Sequence, residues 1–167
     1  MAEMQKKIVW ENDSVAVGEL VNDNGEQINN RSFVELKNKV ALIVPIDGDD
    51  VYLLKEYRSL MGKTVWRVPA GHLDGDESPL DGGARELLEE TGLTSNKLTL
   101  LGQYDYMGWV KFPMSIIKAE ELTQHEQHLE LYEKIDLVKV TREEARKIAL
   151  DEMAEPHHAF ALLKALE

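Results

Sequence analysis

Residues 71–93 read GHLDGDESPLDGGARELLEETGL, and the spacing inside this stretch leaves few ways for it to fold. Ser78 has a side chain suited to a helix N-cap. Pro79 fits the first helical position because its missing N–H costs nothing there, and Gly92 suits the left-handed residue that closes a helix. The spacing predicts a helix over residues 79–91. Along it Glu86, Glu89 and Glu90 stand three and four residues apart, so their carboxylates share one face. Leu80, Leu87 and Leu88 supply apolar contacts, whereas Gly82 and Gly83 each cost about 1 kcal/mol relative to Ala inside a helix. Two such residues predict a close approach to other backbone, with the strand before the helix as the candidate neighbour.

Clustered carboxylates repel one another unless a cation sits between them. One reading of this face is a solvated acidic surface, which is common on helices. The other is a site for a hard divalent ion, Mg²⁺ or Mn²⁺, which prefers oxygen ligands and commonly bridges carboxylates to phosphates. The wider pattern decides between them. Gly71, Glu77, Arg85, Glu86, Glu89, Glu90 and Gly92, with apolar Leu87 and Leu93, match every position of Gly-x5-Glu-x7-Arg-Glu-U-x-Glu-Glu-x-Gly-U. With each residue type at roughly one in fifteen, seven fixed matches arise by chance about once in 10⁸ starting points. This stretch resembles the complete Nudix box, and the resemblance implies a metal-dependent reaction at phosphorus.

A chain of 167 residues with net charge −12 has length for one ordinary domain. Its acidic residues are spread throughout, which disfavours polymeric nucleic acid as a partner, since that calls for a basic surface. A small phosphorylated substrate stays compatible because bound cations invert the local field. No cysteine occurs, so neither a disulfide framework nor a thiolate nucleophile is available. No apolar run approaches a membrane span and the first residues lack a signal-peptide core, so a cytoplasmic protein with no membrane partner is expected.

Residues 15–21 and 32–36 flank Asn22-Asp23-Asn24-Gly25 and read as an N-terminal β-hairpin. A second strand pair, 40–46 and 51–57, surrounds Asp47-Gly48-Asp49-Asp50. Shorter strands are expected near 65–68, 97–104, 114–119 and 135–140. Thr141 and Glu144 make a capping box for a helix to about residue 150, and an apolar stripe after Pro156 marks a final helix. This order predicts an α/β protein with a mixed sheet and helices on both faces. The Nudix resemblance implies an α/β/α sandwich with an N-terminal hairpin. Residues 1–38 would be a dimerisation element and residues 39–167 the hydrolase domain.

The segment LLKEYRSLMGKTVWRVPAGHLDGDES is similar to ADP-ribose and nucleotide-sugar pyrophosphatases, which carry a Q-Y-R-like element and W-E-L-P-A-G before the box. The matches are Tyr57-Arg58, Trp66, Pro69, Ala70 and Gly71, while Arg67 stands where that subgroup has glutamate. The resemblance implies hydrolysis of the diphosphate of ADP-ribose or a related nucleoside diphosphate sugar. Other Nudix activities remain open, on dinucleoside polyphosphates or nucleoside triphosphates, as does a non-catalytic nucleotide-sugar sensor. By the same resemblance Glu86, Glu89, Glu90 and the Ala70 carbonyl are metal ligands, and Arg85 orients the glutamates. Glu77 supports the site or its loop. Arg58, Trp66 and Arg67 are candidate substrate contacts. Arg31, and with it Trp10, would complete the site of a neighbouring subunit in a homodimer.

Two uses are open for the aromatic residues in Tyr104-Asp105-Tyr106-Met107-Gly108-Trp109: stacking on a base or sugar, or packing under the loop. The reaction needs a carboxylate to accept a proton from water. Among Glu126, Glu130 and Glu133, the family spacing favours Glu133. His125 and His128, three apart, lack a third ligand at a supporting spacing, so exposure is the simpler reading. The same reading applies to His157 and His158.

Overall fold

The computed structural model describes residues 4–126 and 135–167. These residues group into two units, Met1–Lys39 with Gln103–Met114, and Val40–Gly102 with Ser115–Glu167. Glu133, the expected proton acceptor, falls outside the described residues, as do His128 and Glu130.

In the first unit β1 (Gln5–Glu11), β2 (Val15–Val21) and β3 (Gln27–Leu36) form an antiparallel meander. The expected hairpin is β2–β3. Its turn is held by Asn22, whose Oδ1 accepts from the backbone of Asn24 and Glu26, both at 3.0 Å, and Gly25 takes a left-handed φ of 80°. β1 has no counterpart in the sequence reading, and every residue in it is exposed. A strand with no buried face leaves no alternation to read. Two strands were expected to be short, yet β8 (Leu93–Met107) and β9 (Val110–Gln124) have 15 residues each. They meet at a turn where Gly108 adopts φ 63°. β3 pairs in parallel with the start of β9, through Val34↔Val110 and Glu35↔Lys111.

In the second unit β4 (Val40–Asp47) joins β5 (Asp50–Arg58) through a tight turn, Ile46↔Val51 and Asp47↔Asp50. β5 then pairs with β6 (Lys63–Arg67) and β10 (Ile135–Thr141), and β4 pairs with β7 (Ala70–His72), all antiparallel. Parallel and antiparallel pairs together give the mixed sheet that was expected. β4 is buried from Val40 to Ile46, the signature of a strand covered on both faces. Ala41 and Ile43 join a core with Leu73, Leu87, Leu93, Ile117 and Ala119 beneath α1 (Pro79–Thr91). Leu42 and Val44 alternate to the other face, and α3 (Pro156–Ala165) packs against β4. α2 (Arg142–Asp151) packs on β10, β5 and α3, and its start carries the full Thr141–Glu144 capping box. The architecture is the α/β/α sandwich.

The α1 glycines are explained by what lies beside them. A Cβ on Gly83 would come within 2.6 Å of Ile117 Cδ1, and one on Gly82 within 2.7 Å of the Glu77 carboxylate and closer still to Leu73. The approach is to core side chains and to the loop preceding the helix. Leu87, fully buried on the same helix face, anchors this contact. Leu87→Ala is expected to lower unfolding stability by about 3 kcal/mol, measured by denaturant titration. A loss well under 1 kcal/mol would show that α1 is not docked through this core.

Candidate active site and metal centre

Four pieces of chain build the site: the end of β6, β7, the loop of residues 73–78, and α1. Ser78 caps α1 by accepting from the Asp81 N–H, and Gly92 closes it with φ 69° while its N–H donates to the Leu88 carbonyl. The helix therefore starts and stops where its sequence predicts.

Arg85 is the organising group. Its Nη1 donates to Glu86 Oε1 at 2.8 Å and Glu89 Oε2 at 3.1 Å; its Nη2 donates to the His72 carbonyl at 2.8 Å and Glu77 Oε2 at 3.0 Å; its Nε reaches Glu77 Oε1 at 3.2 Å. Bidentate pairing of a planar guanidinium with a carboxylate fixes direction as well as distance. Glu77 Oε2 also accepts from the Asp74 N–H at 3.1 Å, so one carboxylate ties helix and loop together. The hydrogen bond to Glu77 leads the interactions that raise Arg85 above its ordinary range, and the same bond, with the Asp74 amide, holds Glu77 below the usual carboxylate range.

Gly71 is glycine for a local reason. A Cβ there would occupy the space of the Glu86 carboxylate, which lies directly against its Cα. Glu90 is 5% exposed, and its Oε2 accepts from the Ala70 N–H at 2.8 Å. The backbone of Ala70 and the three α1 glutamates thus belong to one locality. All donors in this set are hard oxygens, one carboxylate is nearly enclosed, and a Cβ-free cradle receives another. The set fits a hard divalent cation.

A second charged cluster adjoins it. Arg67, 8% exposed, donates from Nη1 to Glu56 Oε2 and from Nε to His158 Nε2 at 3.0 Å, and the same Nε lies 3.1 Å from Glu155 Oε2. The other oxygen of Glu56 accepts from Arg58 Nη1 at 2.9 Å. Burial pushes the Glu56 carboxyl up, but the hydrogen bond from Arg58 and the charge of Arg67 outweigh it and hold the group below its usual range. Arg58 is raised, first by that same hydrogen bond, with smaller contributions from the charges of Glu155 and Glu90.

Of the candidate substrate contacts, Arg58 is partly open, with a side chain 39% exposed. Arg67 has internal partners for its guanidinium. Trp66, its neighbour on β6, projects to the opposite strand face. The Trp66 indole N–H donates to Glu152 at 3.0 Å while Lys55 lies over its ring at 4.3 Å. Arg31 belongs to the first unit, where it lines a cavity of about 650 Å³ together with Lys6, Phe33, Tyr106, Trp109 and Lys111. Tyr106 and Trp109 are 60% and 66% exposed, so neither is buried, whereas Tyr104 is half-buried. Trp10, on β1, is also exposed.

His158 corrects the expectation of exposure: it is fully buried. It lies at the start of α3, where the apolar stripe turns it inward, and the register of that stripe was visible while its polar partner was not. Glu56 and Glu155 were also missed. Arg67 stood out as a departure from a pattern, but His158 lies 91 residues further along the chain.

A model of the NUDIX domain matches residues 36–161, and the chain belongs to the Nudix family. Within that family it is similar to ADP-ribose pyrophosphatase of Bacillus subtilis (strain 168), at 33% identity over 121 residues, which is 71% of this chain and 65% of that protein. It is also similar to phosphatase NudJ of Escherichia coli (strain K12), at 35% identity over 86 residues, 51% of this chain and 54% of that one. The chain thus matches between about half and two thirds of the length of these relatives. A crystal structure of an ADP compounds hydrolase superposes with a TM-score of 0.78, covering 98% of this chain and 91% of the other at 22% identity, a likeness of fold. Among the described residues no helix is long and apolar enough to cross a membrane.

Burial, followed by the charge of Arg67, holds His158 well below its ordinary value of 6.5. Burial also lowers His157. Below that value the unfolded chain binds protons that the folded chain refuses, so stability is full above 6.5 and declines as pH falls beneath it. Melting temperature is expected to drop between pH 7 and about pH 5, before most carboxylates titrate, and His158→Gln is expected to flatten that slope. An unchanged slope in the variant would locate the effect elsewhere.

Proposed function

We propose that this Nudix protein hydrolyses the diphosphate of ADP-ribose or a related nucleoside diphosphate sugar with Mg²⁺ or Mn²⁺, giving a nucleoside monophosphate and a sugar phosphate. The observation that carries this reading is the carboxylate set in which Arg85 braces Glu86 and Glu89 while the Ala70 N–H holds Glu90. The similarity to a protein named ADP-ribose pyrophosphatase supports the choice of substrate.

Ions held by Glu86, Glu89, Glu90 and the Ala70 carbonyl would neutralise phosphate oxygens and lower the pKa of the attacking water. The oxygen of a water would bond to one phosphorus as the bridging P–O bond breaks, the other phosphate would leave with the bridging oxygen, and a carboxylate of this chain would take the proton. We assign that proton transfer to Glu133. Arg85 keeps the glutamates from separating under mutual repulsion, and Glu77 with Gly71 fixes the approach of the loop. Arg58 offers a charged donor to the diphosphate. In the first unit Arg31 and the aromatic cavity suit a ribose or base, and we assign residues 1–38 to contact with a second copy in a homodimer. The compartment that fits a free nucleotide-sugar substrate is the cytoplasm.

The test is release of nucleoside monophosphate from ADP-ribose, GDP-mannose, UDP-glucose, diadenosine polyphosphates and nucleoside triphosphates, with Mg²⁺ or Mn²⁺. Glu90→Gln is the control, since Gln keeps an acceptor for the Ala70 N–H and loses the charge. Cleavage of a nucleotide sugar is expected, with kcat reduced roughly a hundredfold or more in the variant. Cleavage of polyphosphates alone would replace the substrate class. Binding of a nucleotide sugar without cleavage would make the protein a sensor.

A further inference from the structure

Glu155, His157 and His158 present ligand atoms within 4.8 Å of one another, a grouping that suggests a second metal site. The position of Arg67 argues against it. Its Nε stands 3.0 Å from His158 Nε2 and 3.1 Å from Glu155 Oε2, so a guanidinium already supplies the positive charge there. A further cation would face that charge at close range in a poorly solvated place. The cluster needs another account.

The carboxylate of Glu155 gives the first clue. Glu155 is the N-cap residue of α3, yet its side chain makes no capping hydrogen bond. An acidic side chain at a helix N-terminus has a favourable use available in the free N–H groups. Here it is turned to Arg67 instead. His158 is the second clue. To accept from Arg67 Nε its Nε2 must be unprotonated, and burial together with the neighbouring cations keeps the ring neutral. The third is how Glu56 divides its oxygens. Oε2 goes to buried Arg67, while Oε1 faces Arg58, the last residue of β5 and the member of the cluster whose side chain is 39% exposed. The network therefore runs from an enclosed helix terminus to a partly open cation, and that cation is under the influence of Glu90.

We propose that Glu155 and His158 at the N-terminus of α3, acting through Arg67 and Glu56, are positioning residues that hold the Arg58 guanidinium for the diphosphate of the substrate. This rests on the reading of Arg58 as a substrate contact. Each link limits the next. The hydrogen bond from Arg58 and the buried charge of Arg67 together keep Glu56 ionised despite its burial, and Arg67 is the counter-ion fixed in the interior. An ionised and fixed Glu56 gives Arg58 a preferred rotamer, and a preset rotamer reduces the entropy lost when the anion binds. The α3 terminus thereby tunes substrate affinity without touching substrate.

The experiment is a double-mutant cycle on the full chain with Mg²⁺, using Arg58→Ala, Glu56→Gln and their combination. The readouts are kcat and KM for ADP-ribose, and the Kd of ADP-ribose in a Glu90→Gln background where turnover is suppressed. Arg58→Ala is expected to raise KM and Kd about tenfold. Glu56→Gln is expected to raise both severalfold, with kcat held within about twofold, and to add nothing once Arg58 is alanine. His158→Leu should repeat the Glu56→Gln effect, and His158→Gln, which keeps a neutral acceptor for Arg67 Nε, should restore affinity. Should Glu56→Gln fail to fold, Arg67→Lys takes its place in the cycle, since lysine keeps the charge but has no Nε–H to give His158. If Arg58→Ala leaves KM and Kd unchanged, the assignment of Arg58 to the substrate falls, and the relay with it. If Arg58→Ala weakens binding while Glu56→Gln does not, or if the two effects add fully, the relay alone is overturned and the cluster is only structural.

Discussion

Three carboxylates on one face of one helix are the constraint around which the second unit is arranged. Glu86, Glu89 and Glu90 stand close enough on α1 to repel each other, and positive charge supplied from within the protein offsets that repulsion. Arg85 supplies it from the same helix. By binding Glu77 and the His72 carbonyl as well, it also draws in the loop that leads to the helix. The loop places Gly71 where Glu86 needs free space, and the β7 residue before it gives its N–H to Glu90. Helix, loop and strand thus answer to one guanidinium.

The second unit holds another arginine with a comparable number of partners in a different environment. The Arg85 side chain is 28% exposed and the Arg67 side chain 10%. Partial hydration lets Arg85 serve several carboxylates at modest cost. Arg67 is held in a place where an unmet charge would be severely unfavourable, so Glu56, Glu155 and His158 must all be in position together. Buried ionic groups of this kind add little net stability but strongly penalise any arrangement that separates them. That property suits a network whose effect is geometric.

The helix carrying the box was legible in full because every cue for it is local: a cap at Ser78, a proline after it, and a left-handed glycine at Gly92. The capping box at Thr141 was legible for the same reason. β7 was not, since three residues carry no periodicity and that strand exists through pairing with β4. β8 and β9 run further than their apolar segments because their outer portions are extended by partner strands and not by burial. In the site, residues sharing the motif with α1 could be read directly. The Arg67 cluster could not, because its members come from β5, β6 and the start of α3 and meet only after the sheet is assembled. Arg67 was visible as an anomaly in a pattern; its reason lay far along the chain.

The three tryptophans are distributed in a way that makes the chain report on itself optically. Trp10 and Trp109 belong to the first unit and are 54% and 66% exposed, so both emit from a watery setting. Trp66 is in the second unit, half-buried, with its indole N–H held by Glu152 and an ammonium group above its ring. The red side of the emission band therefore samples mainly the first unit, and the blue side samples the strand that ends in Arg67. With no cysteine in the sequence, replacing Trp66 by phenylalanine would leave the first unit as the reporter, and replacing Trp10 and Trp109 together would leave the second, with no thiol chemistry to complicate the signal.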